Sequence, residues 1–209
     1  MDTLTFIGHE PMFASPLVCF RLPDPGPLNA LLLAETEARR AASSGMQRSN
    51  QGGWHSEDDF FHREEPGARR LAEIIRDAVR AATQQVAPKF DVAAAMMHLE
   101  GWINVNGPGA LNEPHAHPTW AWSGTYYVSV PAKKEGRDGA IEFLDPRGDV
   151  SALSVPGATC FRSKARLSPV AGDLILFPSY LTHWVYPHQA GEERVSVAFN
   201  ARIAEGRRA

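Results

Sequence analysis

The chain has 209 residues, of which 44% are hydrophobic and 22% are charged. This length and composition predict one globular domain with a full hydrophobic core. The formal net charge of −3 leaves no broad basic surface of the kind that neutralises the phosphates of duplex nucleic acid. We therefore expect no nucleic-acid partner.

Cys19 and Cys160 lie far apart, and their spacing indicates neither a zinc site nor a disulfide framework. A reducing compartment, the cytoplasm, is the expected location. The first residues include Asp2 and no early Lys or Arg, and Pro11 and Pro16 interrupt the apolar residues. This pattern predicts neither a signal peptide nor a membrane anchor.

The N-terminal part mixes one apolar run with two helical patterns. Residues 16–22 are suited to a strand, and the turn at residues 24–27 leads into a first helix over residues 28–42. Residues 43–66 have no sustained periodicity and predict a long ordered loop or lid that covers a substrate. Over residues 67–86, apolar side chains recur at helical spacing, which predicts an amphipathic helix.

After Pro88 the pattern changes to short β-rich runs broken by Gly and Pro. The predicted strands are residues 96–105, 122–130, 140–144, 158–162, 173–177 and 194–203. Two helices followed by many short strands predict helices packed on an antiparallel barrel or sandwich.

The sharpest local motif is the pair His115 and His117, flanked by Pro114 and Pro118. In an extended chain, residues i and i+2 point to one face, so both imidazoles can reach one metal ion. Imidazole binds iron, zinc, copper and nickel alike, so the pair does not identify the metal. His183 follows a turn, an apolar strand and a proline, which would bring a third imidazole to the barrel mouth.

The other histidines are in contexts typical of surface or hydrogen-bonded residues. They are His9, His55, His62, His98 and His188. Of these, His188 is a candidate for substrate contact.

Arg194 and Ser196 lie two residues apart on a predicted strand, eleven residues after His183. They share one face of that strand, and a guanidinium beside a hydroxyl can bind a carboxylate. A buried cation facing a metal site needs an anionic partner. The alternative is a surface arginine on an edge strand.

These motifs occur in a fixed order with other segments. In sequence they are Asn104-Val105-Asn106, Gly109, His115-x-His117, Ser123-Gly124-Thr125-Tyr126-Tyr127, residues 139–143, residues 169–172, His183 and Arg194-x-Ser196. The ordered set resembles the iron(II)/2-oxoglutarate-dependent oxygenase superfamily, most closely its group with an HxH…H…RxS pattern. The resemblance also takes in residues 12–24 and 50–56, so it covers nearly the whole chain.

The resemblance implies a mainly β fold, the double-stranded β-helix (jelly roll, cupin-like), with flanking N-terminal helices. It implies a single oxygenase-like domain over residues 1–209. Within it, the N-terminal helical part would span about residues 1–90 and the metal-binding barrel core about residues 91–203.

The resemblance also implies an Fe(II) ion and 2-oxoglutarate as cosubstrate. The implied metal ligands are His115, His117 and His183. Arg194 would bind the far carboxylate of 2-oxoglutarate with help from Ser196. Further cosubstrate contacts at matching or neighbouring positions are Asn104, Asn106 and Tyr127.

His117 departs from the usual pattern, because most of the superfamily has Asp or Glu at this position. A neutral imidazole leaves the site one negative charge short, which should weaken Fe(II) retention unless another acid approaches. Glu113 and Asp145 are the candidate acids, although each is more typical of a surface or turn carboxylate. We favour a shell of three histidines.

The expected function is a dioxygenase that hydroxylates or demethylates an unidentified substrate and releases succinate and CO2. Two alternatives stay open: another metal-binding cupin with a non-oxidative activity, and a non-catalytic jelly-roll binding module. The cupin motif expects a glutamate shortly after the second histidine, where this chain has Ala121 and Trp122. It also does not require an arginine such as Arg194.

The substrate is expected to be a small molecule or a peptide, and a nucleobase is also conceivable. The side chains that could line its pocket are Trp54, Trp120, Trp122 and His188. No membrane partner is expected, and a homodimer is one option for the oligomeric state.

Overall fold

The structure is a computed structural model that describes residues 5–8, 13–132, 136–147, 155, 158, 160 and 162–206. The helices are α1 (Gly26–Ala42), α2 (Pro66–Val86) and a short 3-10 turn (Phe60–His62). The strands are β1 (Val18–Arg21), β2 (Asn50–Gln51), β3 (Trp54–His55), β4 (Met96–Asn106), β5 (Leu111–His115), β6 (Trp122–Ser129), β7 (Ile141–Leu144), β8 (Lys164–Leu167), β9 (Asp173–Pro178), β10 (His183–Val185) and β11 (Arg194–Ala204). None of the described helices is both long and apolar enough to span a bilayer.

The strands form two antiparallel sheets. The major sheet has the order β1-β9-β6-β11-β4-β3, and the minor sheet has the order β2-β5-β10-β7-β8. Apolar side chains from both sheets meet between them, including Tyr127 and Phe177 from the major sheet and Ile141 and Phe143 from the minor sheet. Two antiparallel sheets closed on a shared interior are the double-stranded β-helix, so the predicted fold is confirmed.

The outer face of the major sheet is covered by the two helices. Alternate residues of β11, such as Val195, Val197 and Phe199, join Leu71 and Ile75 of α2 in one buried cluster. This period-two pattern places every second residue of the strand against the helices and leaves the other residues facing the interior. The helices therefore back the wall that faces the minor sheet.

Two buried hydrogen bonds attach the helices to β6. The Tyr126 hydroxyl donates to Asn29 Oδ1 over 2.7 Å, and the Trp122 indole N–H donates to Thr83 Oγ1 over 3.1 Å. A buried polar group that finds a partner avoids the cost of an unmade hydrogen bond. These contacts give each helix a defined position on the sheet.

Most predicted elements are present with shifts of one or two residues. The predicted strands at 96–105, 122–130, 140–144, 173–177 and 194–203 correspond to β4, β6, β7, β9 and β11. Strands β5, β8 and β10 were not predicted. The strand predicted at residues 158–162 falls outside the continuously described part of the chain.

The prediction that residues 43–66 form a loop is wrong in part, because this segment contains β2, β3 and the 3-10 turn. Asn50 pairs with Asn112 at the edge of the minor sheet, and Trp54 pairs with Val105 at the edge of the major sheet. Strands of two residues are too short to produce a visible alternation. Strands β1, β2 and β3 also show that the first 90 residues contribute to both sheets.

Candidate metal and cosubstrate site

Three histidines converge at one end of the minor sheet. His115 ends β5, His183 begins β10, and the two are direct cross-strand partners. His117 lies two residues beyond β5. One ring nitrogen from each histidine lies within 4.8 Å of the others, so a single ion could contact all three. The structure thus brings together the three predicted ligands.

Ser179 fixes the loop that carries His117. The His117 N–H donates to Ser179 O over 2.8 Å, and the Ser179 N–H donates to Ala121 O over 3.2 Å. The buried Ser179 hydroxyl also donates to Trp120 O. The loop between β5 and β6 is therefore attached to the turn between β9 and β10, which precedes His183.

Backbone carbonyls orient two of the imidazoles. His115 Nδ1 lies 2.6 Å from Glu113 O, and His183 Nδ1 lies 3.0 Å from Leu181 O. A carbonyl only accepts, so in each ring Nδ1 carries the proton and Nε2 keeps its lone pair. This is the arrangement by which neighbouring groups prepare histidines for a metal.

Burial keeps these imidazoles neutral. Desolvation, followed by the charge of His115, lowers the pKa of His183 to about 3 and that of His117 to about 4. Desolvation also lowers the pKa of His115. A metal binds only the unprotonated ring, so the three side chains are in the form that a metal needs at neutral pH.

Neither Glu113 nor Asp145 belongs to the metal-binding cluster, which within the described ranges consists of histidines only. Glu113 is exposed, and its contact with His115 is through its backbone carbonyl. Asp145 pairs instead with Arg147, at 2.5 Å between carboxylate and guanidinium. The donor set is three imidazoles, which suit iron as well as zinc, copper and nickel.

Arg194 is a buried cation that has no counter-ion among the described residues. It is 3% exposed, and in the described part of the chain no carboxylate forms an ion pair with it. Its Nη1 donates to Gly139 O over 3.3 Å, while Nε has no hydrogen-bond partner. Desolvation lowers the pKa of Arg194, whereas Tyr127 acts in the opposite direction. A buried guanidinium in this state favours an anionic ligand.

Ser196, Asn104 and Tyr127 form the wall beside Arg194. Ser196 is the cross-strand partner of both Asn104 on β4 and Tyr127 on β6, so the three side chains share one face of the major sheet. Asn104 Oδ1 is buried without a partner. Desolvation raises the pKa of Tyr127 to about 12, so its phenol keeps its proton. The predicted cosubstrate residues are therefore close together.

Asn106 has a different environment. It pairs with Arg194 across the sheet, but its amide nitrogen donates to Asn112 Oδ1 over 3.1 Å, and Asn106 does not line the main cavity. The main cavity has a volume of about 450 Å³ and is lined by the three histidines together with Arg194, Ser196, Asn104 and Tyr127.

Only one of the predicted substrate residues lines this cavity, namely Trp120. Trp122 belongs to the core beneath the helices, and Trp54 packs against the same core. His188 is buried, lies 2.9 Å through Nε2 from Asn106 O, and lines a separate cavity behind Arg194. The prediction that these three side chains line the substrate pocket is therefore not met by their positions.

Sequence reasoning missed several residues of the main cavity. They include Arg48, His55, Asp58, Glu100, Trp102, Ser123 and Asn200. Strand parity could have identified some of them. Because Asn104 and Tyr127 face the cavity, the alternation of β4 and β6 also directs Trp102, Glu100 and Ser123 toward it and directs Trp122 away.

The family model described as "Putative 2OG-Fe(II) oxygenase" matches residues 100–200. The match runs from within β4 to within β11 and contains the three histidines, Arg194 and Ser196. No curated protein matches the chain.

Solved structures share the fold over most of the chain. The crystal structure of a Pseudomonas putida prolyl-4-hydroxylase is 19% identical, with 89% of this chain and 91% of that chain covered and a TM-score of 0.59. HygX from Streptomyces hygroscopicus, with nickel, 2-oxoglutarate and hygromycin B bound, is 13% identical, with 90% and 83% covered and a TM-score of 0.62. A prolyl hydroxylase crystallised with a hypoxia inducible factor peptide from Trichoplax adhaerens is 11% identical, with 89% and 83% covered and a TM-score of 0.62.

At these identities the structural likeness establishes the fold, while the family match covers the segment that carries the histidine cluster and the buried arginine. The donor set suits iron, and the unpaired guanidinium suits an anionic cosubstrate. Residues 100–200 thus match the 2OG-Fe(II) oxygenase family, an oxidoreductase family whose cofactors are Fe(II) and 2-oxoglutarate, and the site in this segment suits both.

Proposed function

We propose that this chain is a dioxygenase that hydroxylates or demethylates a small molecule or a peptide. The supporting observation is the pairing, in one cavity, of three neutral histidines with a buried and unpaired arginine. The histidines suit a metal, and the arginine suits the far carboxylate of a dicarboxylate that chelates the same metal. A cupin that binds a metal alone would have no use for this arginine.

His115, His117 and His183 would hold the iron. Their part is to supply three neutral nitrogens, two of which are oriented by backbone carbonyls. Three imidazoles compensate less of the metal charge than two imidazoles and a carboxylate, so we expect weaker retention of Fe(II) than at a site with a carboxylate ligand.

Arg194 and Ser196 would hold 2-oxoglutarate. The guanidinium offers its unpartnered Nε–H, and the adjacent hydroxyl adds a donor on the same face of β11. Asn104 and Tyr127 are proposed as further contacts, and Asn106 acts as a support for Asn112. Binding an anion offsets the desolvation of Arg194, which makes the interaction strong.

When bound, Fe(II) and 2-oxoglutarate supply the oxidation: O2 is consumed, 2-oxoglutarate becomes succinate and CO2, and one oxygen atom enters a C–H bond of the substrate. Demethylation is the same reaction at an N-methyl or O-methyl group, where the hydroxymethyl product breaks down to formaldehyde. The protein holds the reactants together and limits the access of water.

The two cysteines bear on the cellular location. Cys19 and Cys160 are exposed free thiols. Exposed thiols persist in a reducing compartment, so we propose a cytoplasmic location.

The test is anaerobic addition of Fe(II), followed by 2-oxoglutarate, with the visible absorption spectrum recorded after each step. We expect a broad charge-transfer band only after the second addition, because it reports chelation of iron by the 2-oxo acid. Iron that is demonstrably bound without such a band would rule out the cosubstrate assignment. Formation of succinate that depends on added substrate would then identify the true substrate.

A further inference from the structure

We infer that the substrate carries a positively charged nitrogen group, an ammonium or a guanidinium, and that Glu100 binds it at the end of the cavity opposite Arg194. The inference rests on the proposed function, since that function assigns the Arg194 end to 2-oxoglutarate.

The register of β4 and β11 orders the cavity wall into levels. Going away from Arg194, the cross-strand pairs that face the cavity are Asn104 with Ser196, Trp102 with Ala198, and Glu100 with Asn200. Successive levels are about 7 Å apart, because two strand residues span that length. The wall therefore continues past the cosubstrate residues for two more levels.

Trp102 marks the level of the metal. Its ring centroid lies 5.7 Å from that of His117, which belongs to the histidine cluster on the opposite sheet. Glu100 is one level beyond Trp102, and Arg194 lies on the other side of it. When one atom of the substrate lies beside the metal, another group of the same substrate, several bonds away, can therefore reach Glu100.

Glu100 carries a charge that its surroundings do not neutralise. Its side chain is half-buried and, within the part of the chain that the structure describes, makes neither an ion pair nor a hydrogen bond. Arg48 lines the same cavity, and Arg202 lies one level beyond Asn200 on β11, where it also stacks over the Trp120 ring; each makes a contact with a group other than Glu100. Arg48 pairs with Asp58 at 3.4 Å, and Arg202 donates to Thr119 O over 3.1 Å.

The neighbours of Glu100 add shape and a donor. Asn200 accepts a hydrogen bond from Ser123 through Oδ1 over 2.7 Å, and its amide nitrogen has no partner among the described residues. The Trp102 and Trp120 rings line the same cavity, with Trp102 one level before Glu100 on β4. This set fits a cationic nitrogen on an apolar stem, with an oxygen acceptor close to the charge.

A half-buried carboxylate discriminates between charges. A bound cation compensates for the water that the carboxylate loses. A bound neutral group leaves the carboxylate poorly solvated, and an anion is repelled by it. We therefore expect cationic fragments to bind this end at least about tenfold more tightly than neutral fragments of the same length.

The experiment is anaerobic titration calorimetry of the protein loaded with Fe(II) and saturating 2-oxoglutarate. The probes are n-pentylammonium and n-butylguanidinium, with 1-pentanol and pentanoate as their neutral and anionic counterparts. Wild-type protein should bind at least one cation with a preference of about tenfold or more over 1-pentanol. Equal affinity for 1-pentanol, or no binding of either cation, would overturn the inference.

Glu100→Gln keeps the shape of the side chain and removes its charge, so the preference for cations should disappear while 1-pentanol binds as before. Glu192→Gln removes the same charge from the exposed loop before β11 and should leave the preference intact. A Glu100→Gln protein that still prefers cations would contradict the assignment. So would a tenfold loss of Fe(II) affinity in Glu100→Gln, because Glu100 would then serve the metal.

The wild-type comparison does not depend on the folding of any variant. The affinities for Fe(II) and 2-oxoglutarate, measured on the same preparation, separate the two hypotheses. Normal 2-oxoglutarate binding without cation preference would refute this inference alone, and cation preference without 2-oxoglutarate binding would refute the proposed function.

Discussion

The two sheets contribute to the site in different ways. The major sheet supplies Arg194, Ser196, Asn104 and Tyr127 from long strands that are backed by two helices. The minor sheet supplies the histidines from strands of five and three residues and from the loop that follows β5. The cosubstrate wall is thus built into a continuous core, whereas the metal cluster depends on a few backbone hydrogen bonds.

This difference separates stability from metal binding. Changes in the interior of the major sheet should destabilise the whole protein, because the helices and the strands share one apolar cluster. Changes around the histidines should alter metal affinity with little effect on the free energy of unfolding. The following five predictions test this separation, beginning with the largest expected effect.

His183→Ala should lower Fe(II) affinity by at least about 100-fold, because removal of a ligand costs more than the loss of a supporting hydrogen bond. Binding of 2-oxoglutarate should fall with it. Anaerobic iron titration measures the loss, and His62→Ala, at an exposed histidine, is the control. Iron binding that survives in His183→Ala would mean that other side chains form the metal site.

Arg194→Gln should lower 2-oxoglutarate affinity by about 100-fold, because the substitution removes the buried positive charge that neutralises the carboxylate. Fe(II) affinity should remain within about twofold of wild type. Titration of the charge-transfer band gives the affinity. Arg202→Gln removes an exposed arginine from the same strand and should bind 2-oxoglutarate normally. If both variants bind it normally, a different cation holds the cosubstrate.

Gly124→Ala should destabilise the protein by about 2–3 kcal/mol, because an added methyl would overlap the Phe199 ring and lie 2.6 Å from Ile175 O. Chemical denaturation measures the change. Gly107→Ala is the matched control, since a Cβ there has no atom within 4 Å and should change stability by less than about 0.5 kcal/mol. Equal stability of the two variants would mean that the major sheet adapts more freely than its packing suggests.

Ser179→Ala should lower Fe(II) affinity by about tenfold, because the Trp120 carbonyl in the His117 loop loses the hydrogen bond that the Ser179 hydroxyl donates. The thermal midpoint should fall by only a few degrees. Ser129→Ala, whose hydroxyl makes a long exposed contact to Glu193 O, is the control. Unchanged iron affinity in Ser179→Ala would show that the loop is held by its backbone alone.

Asp145→Asn should have the smallest effect, a change in Fe(II) affinity of less than about twofold, because Asp145 pairs with Arg147 and lies outside the histidine cluster. The same iron titration provides the value. A tenfold loss would return Asp145 to the list of ligands and contradict a shell of three histidines.

The two sheets also differ in how much of each can be predicted from the sequence. The β-rich composition of β4, β6 and β11 predicts three strands of the major sheet, and the two-residue spacing of Arg194 and Ser196 predicts that these two side chains share a face. In contrast, β10 has three residues and β5 includes Pro114, so neither has an alternation that a sequence pattern can detect. The histidines were found as a motif, and their convergence required the pairing of the two strands.

The misplaced tryptophans have a physical explanation. Trp122 was assigned to the pocket on the basis of its residue type, but its position on β6 has the same parity as Tyr126 and faces the helices. Glu100 was overlooked because a single acid on a strand is usually a surface residue. Only the register with β11 reveals that it shares a wall with Arg194.

The position of β11 in the chain bears on the synthesis of the protein. This strand lies between β6 and β4 in the major sheet, yet among the described strands it is the last to leave the ribosome. Until it emerges, each of its two neighbours has an unpaired edge that can bind other chains. Pairing over such long sequence separations is slow. The cosubstrate site should therefore be completed only after the other described strands have been synthesised.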